Sequence, residues 1–167
     1  TVGTLANGMR YYIRENHKPE KRAELRLVVN AGSVLEDEDQ RGLAHMVEHM
    51  AFRGTKKLAG NQISSYLESV GMRYGPDINA FTSFDATVYM ITIPTDTAAI
   101  VDQGFQILSA WAHNVAFAPS QVEKERPVVT KHWRRGPVAA RSMHNPWFPG
   151  RFRGARAGQP LPPERTA

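Results

Sequence analysis

Apolar side chains at Leu25, Leu27 and Val29 alternate with polar neighbours in AELRLVVNAGSVLE, the two-residue period of a half-buried strand. The opening TLANGMRYYIREN sets an Asn-Gly turn before a short apolar and aromatic run, and the two segments together predict an antiparallel start. Then the period changes. Leu43, Ala44, Met46, Val47, Met50, Ala51 and Phe52 make a largely apolar helix from about Gln40 to Phe52, with Glu36, Asp37, Glu38 and Asp39 placing negative charge at its N-terminus. Ile63, Tyr66, Leu67 and Val70 share a helical face in NQISSYLESVGM, with Asn61 as the cap and Gly71 as the stop. β-Branched and aromatic residues on both sides of Ser83 to Asp85 predict a hairpin that ends at Pro94. Ile100, Phe105, Leu108 and Trp111 then follow a 3.6-residue period. APSQVEKERPVVTKHWRRG reads as a last helix capped by Ser120, which Pro127 should kink or end. The order ββααββαα predicts an α+β fold, a mostly antiparallel sheet packed on helices.

From Gly136 the periodicity stops. GPVAARSMHNPWFPGRFRGARAGQPLPPERTA is rich in Gly, Pro and Arg, so residues 1–135 are expected to form one domain and 136–167 an irregular tail. A chain of 167 residues, 41% hydrophobic, has enough apolar material for one core. The net charge of +5 changes the picture less than its size suggests, because the tail holds five arginines against one glutamate and the body is close to neutral. A near-neutral body without a basic stripe argues against a nucleic-acid partner. No apolar run reaches membrane-span length, and the first residues lack the charged start and apolar stretch of a signal peptide. With no cysteine, disulfides and thiolate metal sites are excluded together, and any metal must be held by nitrogen and oxygen.

The candidate chemistry lies in GLAHMVEHMAFRGT. His45, Glu48 and His49 stand at i, i+3 and i+4, which puts all three on one side of the apolar helix. A solvated polar stripe would have the same spacing. The apolar surroundings instead imply burial, and two histidines and a carboxylate held in a buried helix need partners, of which a metal ion is the most economical.

HMVEH followed by MAFRGT resembles the inverted zinc motif HxxEH of the M16 family of metallopeptidases (insulinase, pitrilysin, mitochondrial processing peptidase). The likeness extends, in order, through NQISSYLESVGMRYG, INAFTSFDATVYMITIPTD and VEKERPVV, over roughly residues 4 to 135. It is greatest to the first, active-half domain of bacterial members. The resemblance implies an incomplete LuxS/MPP-like metallohydrolase domain, zinc held by His45 and His49, and Glu48 as the general base rather than a ligand. It further implies an extended peptide substrate along Asn79, Ala80 and Phe81, and a second M16-like half or subunit closing a clamp. A periplasmic or secreted setting is favoured by the bacterial likeness.

The chain departs from the family where the third metal ligand is due. The family places a glutamate seven residues after an earlier glutamate; here Glu125 is kept and His132 occupies the ligand position, preceded by Lys131. Seven residues are nearly two helical turns, so Glu125 and His132 share a face about 10 Å apart along the axis. Three arrangements fit: a three-histidine site closed by His132, a site closed by Glu125 if Pro127 reshapes the helix, or a site that holds metal weakly, with Lys131 adding repulsion. Two functions follow. One is a zinc endopeptidase domain. The other is a catalytically silent M16-like scaffold, partner domain or truncated fragment, and a reading-frame shift near codon 130 is one account of the tail.

Overall fold

A computed structural model describes residues 1–58 and 62–135, with the backbone alone for 132–135. The strands are β1 (Val2–Thr4), β2 (Arg10–Tyr12), β3 (Arg22–Val29), β4 (Ile78–Thr82) and β5 (Thr87–Pro94); the helices are α1 (Leu43–Arg53), α2 (Gln62–Ser69), α3 (Ala98–His113) and α4 (Pro119–Arg135), with a short 3-10 turn at Ser33–Leu35. The α+β expectation is met, with one change at the start. β1 and β2 pair with each other as a separate ribbon, while β3 joins β5 and β4 in an antiparallel sheet of order β3-β5-β4.

β5 takes the centre because TVYMITIP is rich in β-branched and aromatic residues that suit a strand covered on both sides. Tyr89, Ile91 and Ile93 project from one face, beside Leu27, Leu25 and Ala23 of β3 and, across the other edge, Ala80 and Ile78 of β4. The helices cover that face. Ala51 of α1, Ile63 and Leu67 of α2, and Ile107 and Trp111 of α3 close the core, each 3% exposed or less. Each fully buried aliphatic side chain contributes roughly 1.5–3 kcal/mol of transfer free energy. The Trp111 indole N–H donates to the Ala51 carbonyl at 3.0 Å and so fixes α3 against the end of α1.

Several boundaries differ from the sequence reading. α1 starts at Leu43 rather than near Gln40, and Val29 is exposed rather than core-facing. Gly71 stops α2 as expected, with φ of 85°, but Asn61 and the segment 136–167 lie outside the described residues. α4 begins at Pro119, with the Ala118 carbonyl accepting from Gln121 and Val122, so Ser120 lies in its first turn instead of capping it. Proline suits that first position because its missing N–H has no helical partner to lose. Pro127 neither ends nor breaks the assigned helix, which continues to Arg135 while packing against α1.

Candidate metal centre

α1 is placed by a carboxylate that comes before it. Glu36 accepts from the Gly42 N–H at 2.8 Å and the Ala44 N–H at 2.7 Å, satisfying donors that the first turn of a helix leaves open and setting negative charge at the positive end of its dipole. Glu36 is itself held close to β4 and β5. Ser33 and Val34 donate their N–H groups to the Ser83 and Phe84 carbonyls of the β4–β5 turn, at 3.1 and 2.8 Å. That approach requires glycine at position 32, where an added Cβ would lie 2.4 Å from the Ser83 carbonyl oxygen.

With α1 so fixed, His45, Glu48 and His49 present ligand atoms that all lie within 4.8 Å of one another. The Nε2 atoms of His45 and His49 are 3.2 Å apart. Two nitrogens bound to one tetrahedral zinc at about 2.0–2.1 Å stand roughly 3.3 Å apart, so the pair fits that ion. The other nitrogen of His49, Nδ1, lies 2.8 Å from Oε2 of Glu125, which is 1% exposed. A carboxylate oxygen accepts here, so Nδ1 is the donor, and a neutral ring in that arrangement carries its lone pair on Nε2, the nitrogen beside His45. Arg53, one turn beyond His49, ion-pairs with Oε1 of the same carboxylate.

The three residues open into a cleft of about 610 Å³ whose walls include Tyr74, Asn79, Ala80, Phe81, Thr82 and Glu125. The structure thus brings Asn79, Ala80 and Phe81 to the same cleft as the motif. Backbone bonds from Ser83 to Ala86 and from Thr92 to Asp77 set the alternation of the β4–β5 ladder. By that alternation Ala80 and Thr82 turn their main-chain groups away from β5, toward the open edge. The Ala80 N–H is taken by the Asn79 side-chain oxygen at 2.9 Å. His132 lies in the last turns of α4, on backbone alone, and Lys131 is exposed and outside the cleft lining.

Arg53, Thr82 and Tyr74 are among the cleft residues that the sequence did not point to. Arg53 continues the i, i+4 series from His45 and His49, a spacing that could have found it. Thr82 follows Ile78 and Ala80 on one face of β4, and its hydroxyl donates to Oε2 of Glu48 at 2.6 Å. Tyr74 stacks edge-on with Phe52 at 5.6 Å. Its hydroxyl pKa is pushed up to about 12, by burial first, with the Arg53 cation opposing and the Glu48 and Glu125 charges adding, although 55% of the residue stays exposed.

Residues 11–144 match the family model for Insulinase (Peptidase family M16). The chain belongs to peptidase family M16. Among curated M16 relatives, the probable zinc protease PqqL of Haemophilus influenzae is 46% identical over 133 residues, 80% of this chain and 14% of its own length. The zinc protease PQQL-like protein of Arabidopsis thaliana is 39% identical over 160 residues, 96% of this chain and 17% of its own length. The fold superposes on the crystal structure of the first half of the periplasmic protease PqqL from Escherichia coli with a TM-score of 0.89 at 36% identity, covering 97% of this chain and 35% of that one. The chain therefore spans less than a fifth of the length of these two M16 relatives.

Proposed function

We propose that this chain is the metal-bearing part of a zinc endopeptidase that acts on extended peptides, in the periplasm, together with a second M16-like half. The observation that carries this reading is the His45–His49 pair with its Nε2 atoms 3.2 Å apart, Glu48 beside it and Glu125 behind His49. His45 and His49 would hold the ion, with His132 as the third ligand from α4; Glu125 orients His49 and is the alternative ligand. When bound, zinc supplies Lewis-acid polarisation of the peptide carbonyl and of the attacking water. Glu48 accepts the water's proton and returns it to the departing amine. The open edge at Ala80 and Thr82 offers main-chain groups to an extended substrate, and Phe81, 48% exposed, offers it an apolar contact. For peptide pairing at the Ala80 N–H, the Asn79 side chain must first release it.

Zinc stoichiometry on metal-stripped, reloaded protein at neutral pH tests the reading. One zinc per chain is expected, lost in His45→Ala and in His49→Ala. Loss in His132→Ala with retention in Glu125→Gln assigns the third ligand to His132, and the opposite pattern assigns it to Glu125. No zinc on the parent chain overturns the proposal in favour of a silent M16-like scaffold, the reading suggested by the changed ligand position at His132.

A further inference from the structure

Within the cleft the least explained contact is the short bond from Thr82 to Glu48. Thr82 ends β4, directly across from Thr87 of β5. Its hydroxyl has one proton, and two acceptors lie within reach: Glu48 Oε2 at 2.6 Å and Thr87 Oγ1 at 3.4 Å. The shorter contact is to an anion, where a hydrogen bond is stronger, so the proton goes to Glu48. Thr87 spends its own proton on the Ala31 carbonyl at 2.9 Å and is 5% exposed. One hydroxyl, that of Thr82, thus ties the Glu48 carboxylate to the turn end of β4–β5, while Thr87 is anchored to Ala31.

The fixed carboxylate has a choice of roles. Glu48 is 8% exposed and one of its carboxylate oxygens lies within 4.8 Å of a nitrogen of each histidine, near enough that a small rotation would make it a ligand. As a ligand it could not serve as a base. We infer that Thr82 is a positioning residue that engages Oε2 of Glu48, holds the carboxylate off the metal, and leaves Oε1 as the proton acceptor. The inference rests on the proposed reading of His45, Glu48 and His49, and it gives the strand edge a second task beside peptide contact.

Two measurements on the full chain test it. The first needs no metal: a double-mutant cycle of Thr82→Val and Glu48→Leu by urea unfolding, with Thr82→Ser as the conservative variant. Thr82→Val is expected to raise the unfolding equilibrium constant about tenfold in the parent and less than twofold in the Glu48→Leu background, while Thr82→Ser stays within about twofold of the parent. Additive effects would overturn the Thr82–Glu48 anchor. The second is a cobalt(II) titration read by visible absorption. Thr82→Val is expected to bind cobalt several times more tightly, with the weaker absorption of a higher coordination number. Glu48→Gln added to that variant is expected to restore the parent spectrum, and Thr82→Ser to keep it. A Thr82→Val spectrum and affinity identical to the parent's would overturn the positioning role. A parent chain that takes up no cobalt would overturn the metal reading and with it the claim that Thr82 keeps Glu48 off a metal, and the cycle alone would then judge the anchor.

Discussion

β1 and β2 close across Asn7 and Gly8 with three paired residues on each side, and every residue of β2 is exposed. β4 and β5 close across Ser83 to Ala86 with five pairs, and there Ile78, Val88, Tyr89 and Ile91 are buried. Both are antiparallel hairpins with turn-forming residues at their tips. The difference lies in what covers them: helices α1 and α3 pack on the second, while the first keeps Val2, Tyr12 and Ile13 at 63% exposure or more. A hairpin alone is marginal in water, so the stability that orients the metal centre comes from covering rather than from pairing.

Substitutions should separate the two ribbons by size of effect. Ile91→Ala, at a fully buried centre of β5, is expected to cost about 3–4 kcal/mol in urea unfolding. Alkaline pH gives the next largest effect. Tyr89 is 3% exposed, and burial, with the Glu48 charge adding, pushes its hydroxyl pKa up to about 12. Above pH 10 the unfolded chain loses that proton while the folded chain keeps it, so stability falls as pH rises from about 10 to about 12. The fall attributable to Tyr89 is on the order of 2–3 kcal/mol, and Tyr89→Phe should remove it while leaving neutral-pH stability close to the parent's. Gly32→Ala forces a Cβ against the Ser83 backbone and is expected to cost about 2 kcal/mol, with a loss of zinc affinity if the α1 position depends on it. Glu36→Gln, which cannot accept both backbone N–H groups at the head of α1, should cost about 1 kcal/mol by thermal unfolding. Tyr12→Ala on the outer ribbon should stay within about 0.5 kcal/mol, and a larger loss would mean that the comparison of the two hairpins is wrong.

The part of the site carried on one helix was legible because helical spacing alone puts His45, Glu48 and His49 together. The β4–β5 hairpin was legible for the matching reason, a two-residue period broken by a turn. What was not legible was set by residues distant in sequence. Glu125 stands in the sequence as an alternative ligand, and its contact with the outer nitrogen of His49 is a distinction between two atoms of one ring that no spacing encodes. Pro127 looked like a helix end because its missing N–H and ring clash are local costs, and the packing of α4 against α1 that offsets them is not local. The acidic run before α1 places favourable charge there, and the bonds to the head of the helix come from Glu36, reaching forward six and eight residues through a folded-back chain. The separate β1–β2 ribbon was missed because alternation predicts strands and not their partners.

Main-chain groups make the contact between the 3-10 turn and the β4–β5 tip, since Ser33 and Val34 donate through their backbones and Leu35 is 60% exposed. Such a tether is indifferent to the exposed side chain of Leu35 and intolerant at Gly32. The distance between β4 and the histidine helix is therefore buffered against sequence drift at position 35. A randomised library at 35 should yield mostly folded chains, whereas one at 32 should return glycine.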